Sequence, residues 1–114
     1  MTALYDDSGS VAAWLHESGR IYDLDGQNLA FVDGDSVYDW SGNHIGWWQD
    51  GHIRDSVGAV AYFTTEAKNL GVFTPFRGFS PFQPFLAFTP FKPFLATKPF
   101  RPFNMAAWSS DLPF

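Results

Sequence analysis

The chain has no cysteine, which removes disulfide bonds, thiolate nucleophiles and cysteine-built zinc or iron–sulfur sites from its chemistry. Proline is absent from the first 74 residues, and all eight prolines follow from Pro75 onward. No apolar run approaches the roughly 18 residues that span a bilayer, and the opening "MTALYDDSGS" has two carboxylates where an export signal carries positive charge. A cytoplasmic protein with no membrane partner is expected. Positive charge is scarce and unevenly placed: residues 1–69 hold eleven acidic and three basic groups (−8), residues 70–114 one acidic and four basic (+3). Four spaced cations on an acidic protein make no clustered basic surface, so no nucleic-acid partner is expected; the two parts should instead attract each other. A chain of 114 residues is long enough to fold as one domain without a metal, and no cofactor is expected.

What the sequence does have is repetition, at two periods. The first 65 residues write one unit four times: "LYDDSGSVAAWL" from Leu4, "IYDLDGQNLAFV" from Ile21, "VYDWSGNHIGWW" from Val37 and "IRDSVGAVAYFT" from Ile53, with turn glycines at Gly9, Gly26, Gly42 and Gly58. Repeats of this kind bury their apolar faces against one another. In the first three units an aliphatic residue, an aromatic and an aspartate lead into a glycine turn and a second apolar stretch, which is a β-hairpin pattern. "HESG", "DGDS" and "QDGH" are the turns between units. The sequence predicts an all-β fold: four hairpins around a pseudo-four-fold axis over residues 1–66, a linker at 67–72, and an extended tail over 73–114. The residues five places after each glycine (Trp14, Phe31, Trp47, Phe63) and three places after (Ala12, Leu29, Ile45, Ala61) are expected to share one core.

In the tail, every third position from Phe73 to Phe103 is phenylalanine except Thr97, giving ten phenylalanines in eleven places. Polyproline II has three residues per turn, so this period puts the rings on one edge, the prolines on a second and the polar groups on the third. A stripe of ten rings exceeds what soluble monomers expose, and burying each is worth roughly 1.5–3 kcal/mol. Burial is therefore expected, against the hairpins or against other copies. A nine-residue superperiod at Pro75, Pro84, Pro93 and Pro102 matches the hairpin count, so one nonad is expected per hairpin, its cation facing that hairpin's aspartate.

The fourfold "YDxxG" pattern, the "GWW" and "DGHIRD" stretches and the short proline repeats of the tail resemble the four-fold β-flower proteins, small bacterial proteins of four β-hairpins about a pseudo-four-fold axis. The resemblance covers residues 4 to about 65 well and reaches the tail as a style of repeat. It implies the fold and brings no established activity and no catalytic residues; it also implies a more cationic, less phenylalanine-rich tail than this one. "GNHIGWWQDG" resembles the aromatic hairpin repeats that bind choline on cell walls, which would need rings exposed between hairpins.

Chemistry-bearing sets are few. His44 and His52 fall in one hairpin and could converge on a metal, although turn and surface roles account for them. "DLDG" from Asp23 begins like a calcium loop but no glutamate follows at the twelfth position. Asp6, Asp23, Asp39 and Asp55 could form a ring that binds a cation or receives the tail; capping their own turns is the simpler account. Ser8, Ser41 and Ser56 sit in turns with no convergent histidine. No catalytic residue is assigned. The expected function is non-catalytic assembly as a homo-oligomer, with Phe76, Phe85, Phe94 and Phe103 as anchors and Arg77, Lys92, Lys98 and Arg101 facing acidic hairpin turns. The alternative is an aromatic module in which Trp40, Trp47 and Trp48 bind a sugar, a quaternary amine or a peptide. An enzyme of unknown class is the third reading.

Overall fold

A computed structural model describes residues 1–114. Eight strands form a closed antiparallel barrel in chain order: β1 (Thr2–Tyr5), β2 (Val11–Leu15), β3 (Arg20–Tyr22), β4 (Asn28–Asp33), β5 (Ser36–Asp39), β6 (His44–Gln49), β7 (His52–Arg54) and β8 (Val60–Phe63). The pairs β1–β2, β3–β4, β5–β6 and β7–β8 are the four hairpins, and the Tyr5–Phe63 pair closes the ring. Each hairpin carries a bulge at the same place, just before its tyrosine or, in the fourth copy, before Arg54. Closure leaves no free sheet edge to protect.

The hairpin turns are built by their aspartates. The Oδ1 atoms of Asp6, Asp23, Asp39 and Asp55 each accept the backbone N–H groups two and four residues on, at 2.9–3.0 Å. The turn glycines stand at φ of 83°, 86°, 92° and 94°, a region that favours glycine. Each aspartate thus serves its own turn, and the four make no common ring.

The central core contains Leu4, Ile21, Val37 and Ile53, the first residue of each repeat and all fully buried, together with Ala13, Ala30, Ala61 and Tyr62. Ala12, Leu29 and Ile45 pack against it half-buried. The aromatics five places after each glycine are buried elsewhere. Trp14 faces Tyr22, Phe31 faces Tyr38, Phe63 faces Tyr5 and Trp47 faces Arg54 across the junctions between hairpins. Tyr5–Phe63 and Phe31–Tyr38 stack at 5.5 and 5.9 Å. These rings therefore join neighbouring hairpins rather than meeting on the axis, because the bulges shift the alternation of strand faces.

Beyond Phe63 the chain has no regular secondary structure apart from one bridge, between Val60 and Trp108. It turns at Asn69 and Gly71, both at positive φ, and then passes the four hairpins in order. From Gly78 to Met105 the path is about 84 Å at ~3.1 Å per residue. Three quarters of a circle of that length is about 36 Å wide, and the molecule measures 37 × 37 × 21 Å. The tail bends around a disc instead of crossing it. Near its end Phe114 stacks on Tyr62 at 4.6 Å and joins the central core.

Candidate functional site

The tail is held through its backbone. The amides of Gly78, Ala87, Ala96 and Met105 donate to the carbonyls of Gly9, Gly26, Gly42 and Gly58 at 2.8–3.0 Å. Four hairpins repeating every 16 or 17 residues thus receive four tail segments repeating every nine. Each turn glycine is buried beneath the tail: a methyl group there would overlap the carbonyl oxygen of Phe76, Phe85, Phe94 or Phe103 and press on Pro75, Pro84, Pro93 or Pro102. Glycine is needed twice over at these positions, for the positive φ of the turn and for the close approach of the tail.

The rings of those same phenylalanines take no part. All ten tail phenylalanines, Phe73 to Phe103, are 95–102% exposed. The expected burial of the stripe on its own hairpins is therefore corrected. The backbone and prolines use up the inner side of the tail, so the rings point outward, and Phe76, Phe85, Phe94 and Phe103 meet the turn glycines through their carbonyls alone. The result is a continuous apolar rim whose rings touch no other part of the chain.

The tail's cations also depart from the expected pairing. Lys92 lies 3.5 Å from Asp33, Lys98 pairs with Asp35, and Arg101 lies 3.4 Å from Asp35, so they meet the turn between the second and third hairpins. Lys98, by its hydrogen bond, holds the Asp35 carboxyl below the usual carboxylate range. Arg77 faces no carboxylate and lies 5.9 Å from the centre of the Tyr5 ring. Lys98 and Arg101 also cover Trp47 at 5.4 and 5.3 Å.

The residue that sequence reasoning passed over is Arg54. It occupies the tyrosine position of the fourth repeat, and that break in the "YD" pattern was its one visible signal. Fully buried, it donates to His52 Nε2 (3.1 Å) and to the carbonyls of Gly58 (2.7 Å), Met105 (2.9 Å), Asn69 (3.2 Å) and Leu70 (3.0 Å). One guanidinium fork thereby ties the fourth turn, the linker and the last tail repeat together, using the five N–H donors that arginine alone supplies. Burial first, and then the Arg54 charge, hold His52 below the ordinary histidine pKa, so it stays neutral and able to accept.

The three tryptophans do not share a pocket. Trp47 is buried; Trp48 packs half-buried against the central core; Trp40 lies 4.6 Å from Phe31 beside a shallow cleft of about 240 Å³ with Arg20, Thr89 and Lys92. Rings exposed between hairpins, as a choline-type repeat requires, are not found at Trp47. His44 packs between Tyr38 and Trp47, whereas His52 is committed to Arg54. No group of three or more His, Asp or Glu side chains is placed to hold a metal ion, and no helix is long and apolar enough to cross a membrane.

No curated protein and no solved structure matched the chain. The model of one family, described as 4-fold beta flower protein, matches residues 2–114, and so takes in the phenylalanine tail as well as the hairpins. With its four-hairpin barrel and its fourfold docked tail, the chain belongs to the 4-fold beta flower protein family.

Proposed function

We propose that this is a non-catalytic assembly protein whose phenylalanine rim joins copies of the chain. The observation that carries this reading is the combination of a pinned backbone with ten fully exposed rings. The tail is already ordered by its four docking sites, so association need not order it again, and preordering of this kind lowers the cost of binding. Ten phenylalanine rings offer roughly 1,500–2,500 Å² of surface, against about 800 Å² per partner in a stable interface. Offset or edge-to-face contacts between rims suit rings presented singly at every third residue.

The test is solution mass by light scattering over a dilution and salt series, for the parent chain and a variant with Phe76, Phe85, Phe94 and Phe103 changed to serine. The parent should form oligomers that persist in high salt, and the variant should be monomeric at the same concentrations. A monomeric parent sinks the proposal, as does a variant that associates equally well.

A second reading rests on the cleft beside Trp40. An aromatic wall of Trp40 and Phe31 with Arg20 and Lys92 at its edge suits a sugar or a peptide carboxylate better than a quaternary amine, which those cations would repel. Tryptophan fluorescence titration of the parent and Trp40→Phe would test it; no response to either ligand class excludes this reading.

A further inference from the structure

The four docking sites are equivalent, and this bears on what can occupy them. Each consists of a buried turn glycine whose carbonyl accepts one tail amide and whose open face takes a proline and a main-chain carbonyl. What they read is an extended peptide with proline three residues before a donor amide that belongs to Gly78, Ala87, Ala96 or Met105. The phenylalanine rings add nothing to the fit, being exposed throughout.

We infer that these turns are peptide-binding sites that a second copy's tail can fill, so that copies hold each other by exchanging Pro-Phe repeats. The inference rests on the self-association proposed above and names the contact that makes it durable. Three observations carry it. Every contact made within one chain is available unchanged between chains, so exchange gains and loses the same bonds, the condition under which swapping is a low-cost route to oligomers. The charges are complementary between copies as well as within one: a +3 tail faces a −8 barrel, with Lys92 and Lys98 meeting Asp33 and Asp35. The point of departure is also defined, since Leu70 is held to the barrel by Arg54 and the chain turns at Gly71. Residues 71–77 span at most about 25 Å when extended, so exchanging barrels must lie edge to edge, where their phenylalanine rims also meet.

The experiment uses the native ion pairs as reporters. Equal amounts of ¹⁵N-labelled and unlabelled full-length chains are unfolded together, refolded at high concentration and treated with a zero-length carbodiimide. The Lys98–Asp35 and Lys92–Asp33 links are then read by mass spectrometry in the oligomer fraction. Exchange predicts mixed-isotope links approaching about half of the total, as random pairing of swapped chains requires. Oligomers with only single-isotope links overturn exchange while leaving the rim contact standing. Mixed links that survive serine at Phe76, Phe85, Phe94 and Phe103 support exchange and overturn the rim reading. A monomer with single-isotope links overturns both.

Discussion

The barrel (residues 1–69) and the tail (residues 70–114) both count to four, yet they hold their shape by opposite means. The barrel buries side chains: the first residue of each repeat is fully buried in the central core, and aromatic pairs seal three of the four junctions. The tail repeats bury main chain: a carbonyl, a proline and one amide per repeat sit on a glycine, and the ten phenylalanine rings from Phe73 to Phe103 face outward. Phenylalanine therefore has two meanings in one molecule. In the barrel and at Phe114 it is a packing residue, and from Phe73 to Phe103 it is exposed surface.

That contrast can be broken most sharply by making the same substitution in both regions. Phe31→Ala should cost about 3–5 kcal/mol, the usual penalty for emptying a buried aromatic site, whereas Phe94→Ala should change the stability of the monomer by no more than about 0.5 kcal/mol. Urea unfolding at a concentration where the chain is monomeric measures both. Equal losses would mean that the tail rings are packed after all.

Arg54→Met tests the knot between the regions. It removes five hydrogen bonds, and although Gly58 keeps its bond from the Met105 amide, the change should cost at least about 3 kcal/mol, since each buried group left unsatisfied carries about 1–3 kcal/mol. Hydrogen exchange at the Met105 amide should speed up more than at the Ala87 amide, which docks two hairpins away. Gly42→Ala is next: a strained backbone and an overlap with the Phe94 carbonyl should cost about 1–3 kcal/mol and release the Ala96 amide selectively.

The smallest effect is a pH dependence. His52 has a folded pKa below its unfolded value, so the unfolded chain binds the proton more tightly. Stability should be complete above about pH 6.5, the ordinary histidine value, and should fall as the pH drops below it, because a protonated ring can no longer accept from Arg54. Urea midpoints between pH 7.5 and 5 check this, and His52→Gln should flatten the slope in that range. Asp35 and Asp39, whose pKa values are lowered, lose their contributions only at more acidic pH, below the ordinary aspartate value. For Asp39 burial works the other way, and the hydrogen bonds from Asn43, Ser41 and Gly42 outweigh it.

The four hairpins were legible because glycine and aspartate recur where the backbone itself demands them, and such demands leave marks in sequence. The match of nonads to hairpins was legible from the proline count. The direction of the rings was not. Period three places the phenylalanines on one edge of the tail but says nothing of which edge faces the barrel, and hydrophobicity argued for the wrong one. The deciding fact is steric: the tail's own carbonyls and prolines fill the space over the turn glycines. The place of Trp14, Phe31, Trp47 and Phe63 was misread for a related reason, since one bulge per hairpin changes which face a side chain takes without altering the repeat. Arg54 stands where the other three repeats have tyrosine and is a junction of three chain segments.

The two periods of the repeats, one near sixteen residues and one of nine, bear on how such a protein can change over time. A hairpin added to or lost from the barrel would leave the tail one repeat short or one too long, and its last segment would miss the fourth turn and the arginine that holds it. The tail therefore acts as a gauge of the barrel's symmetry: any lineage that altered the number of petals would have to alter the length of its belt by nine residues in the same step.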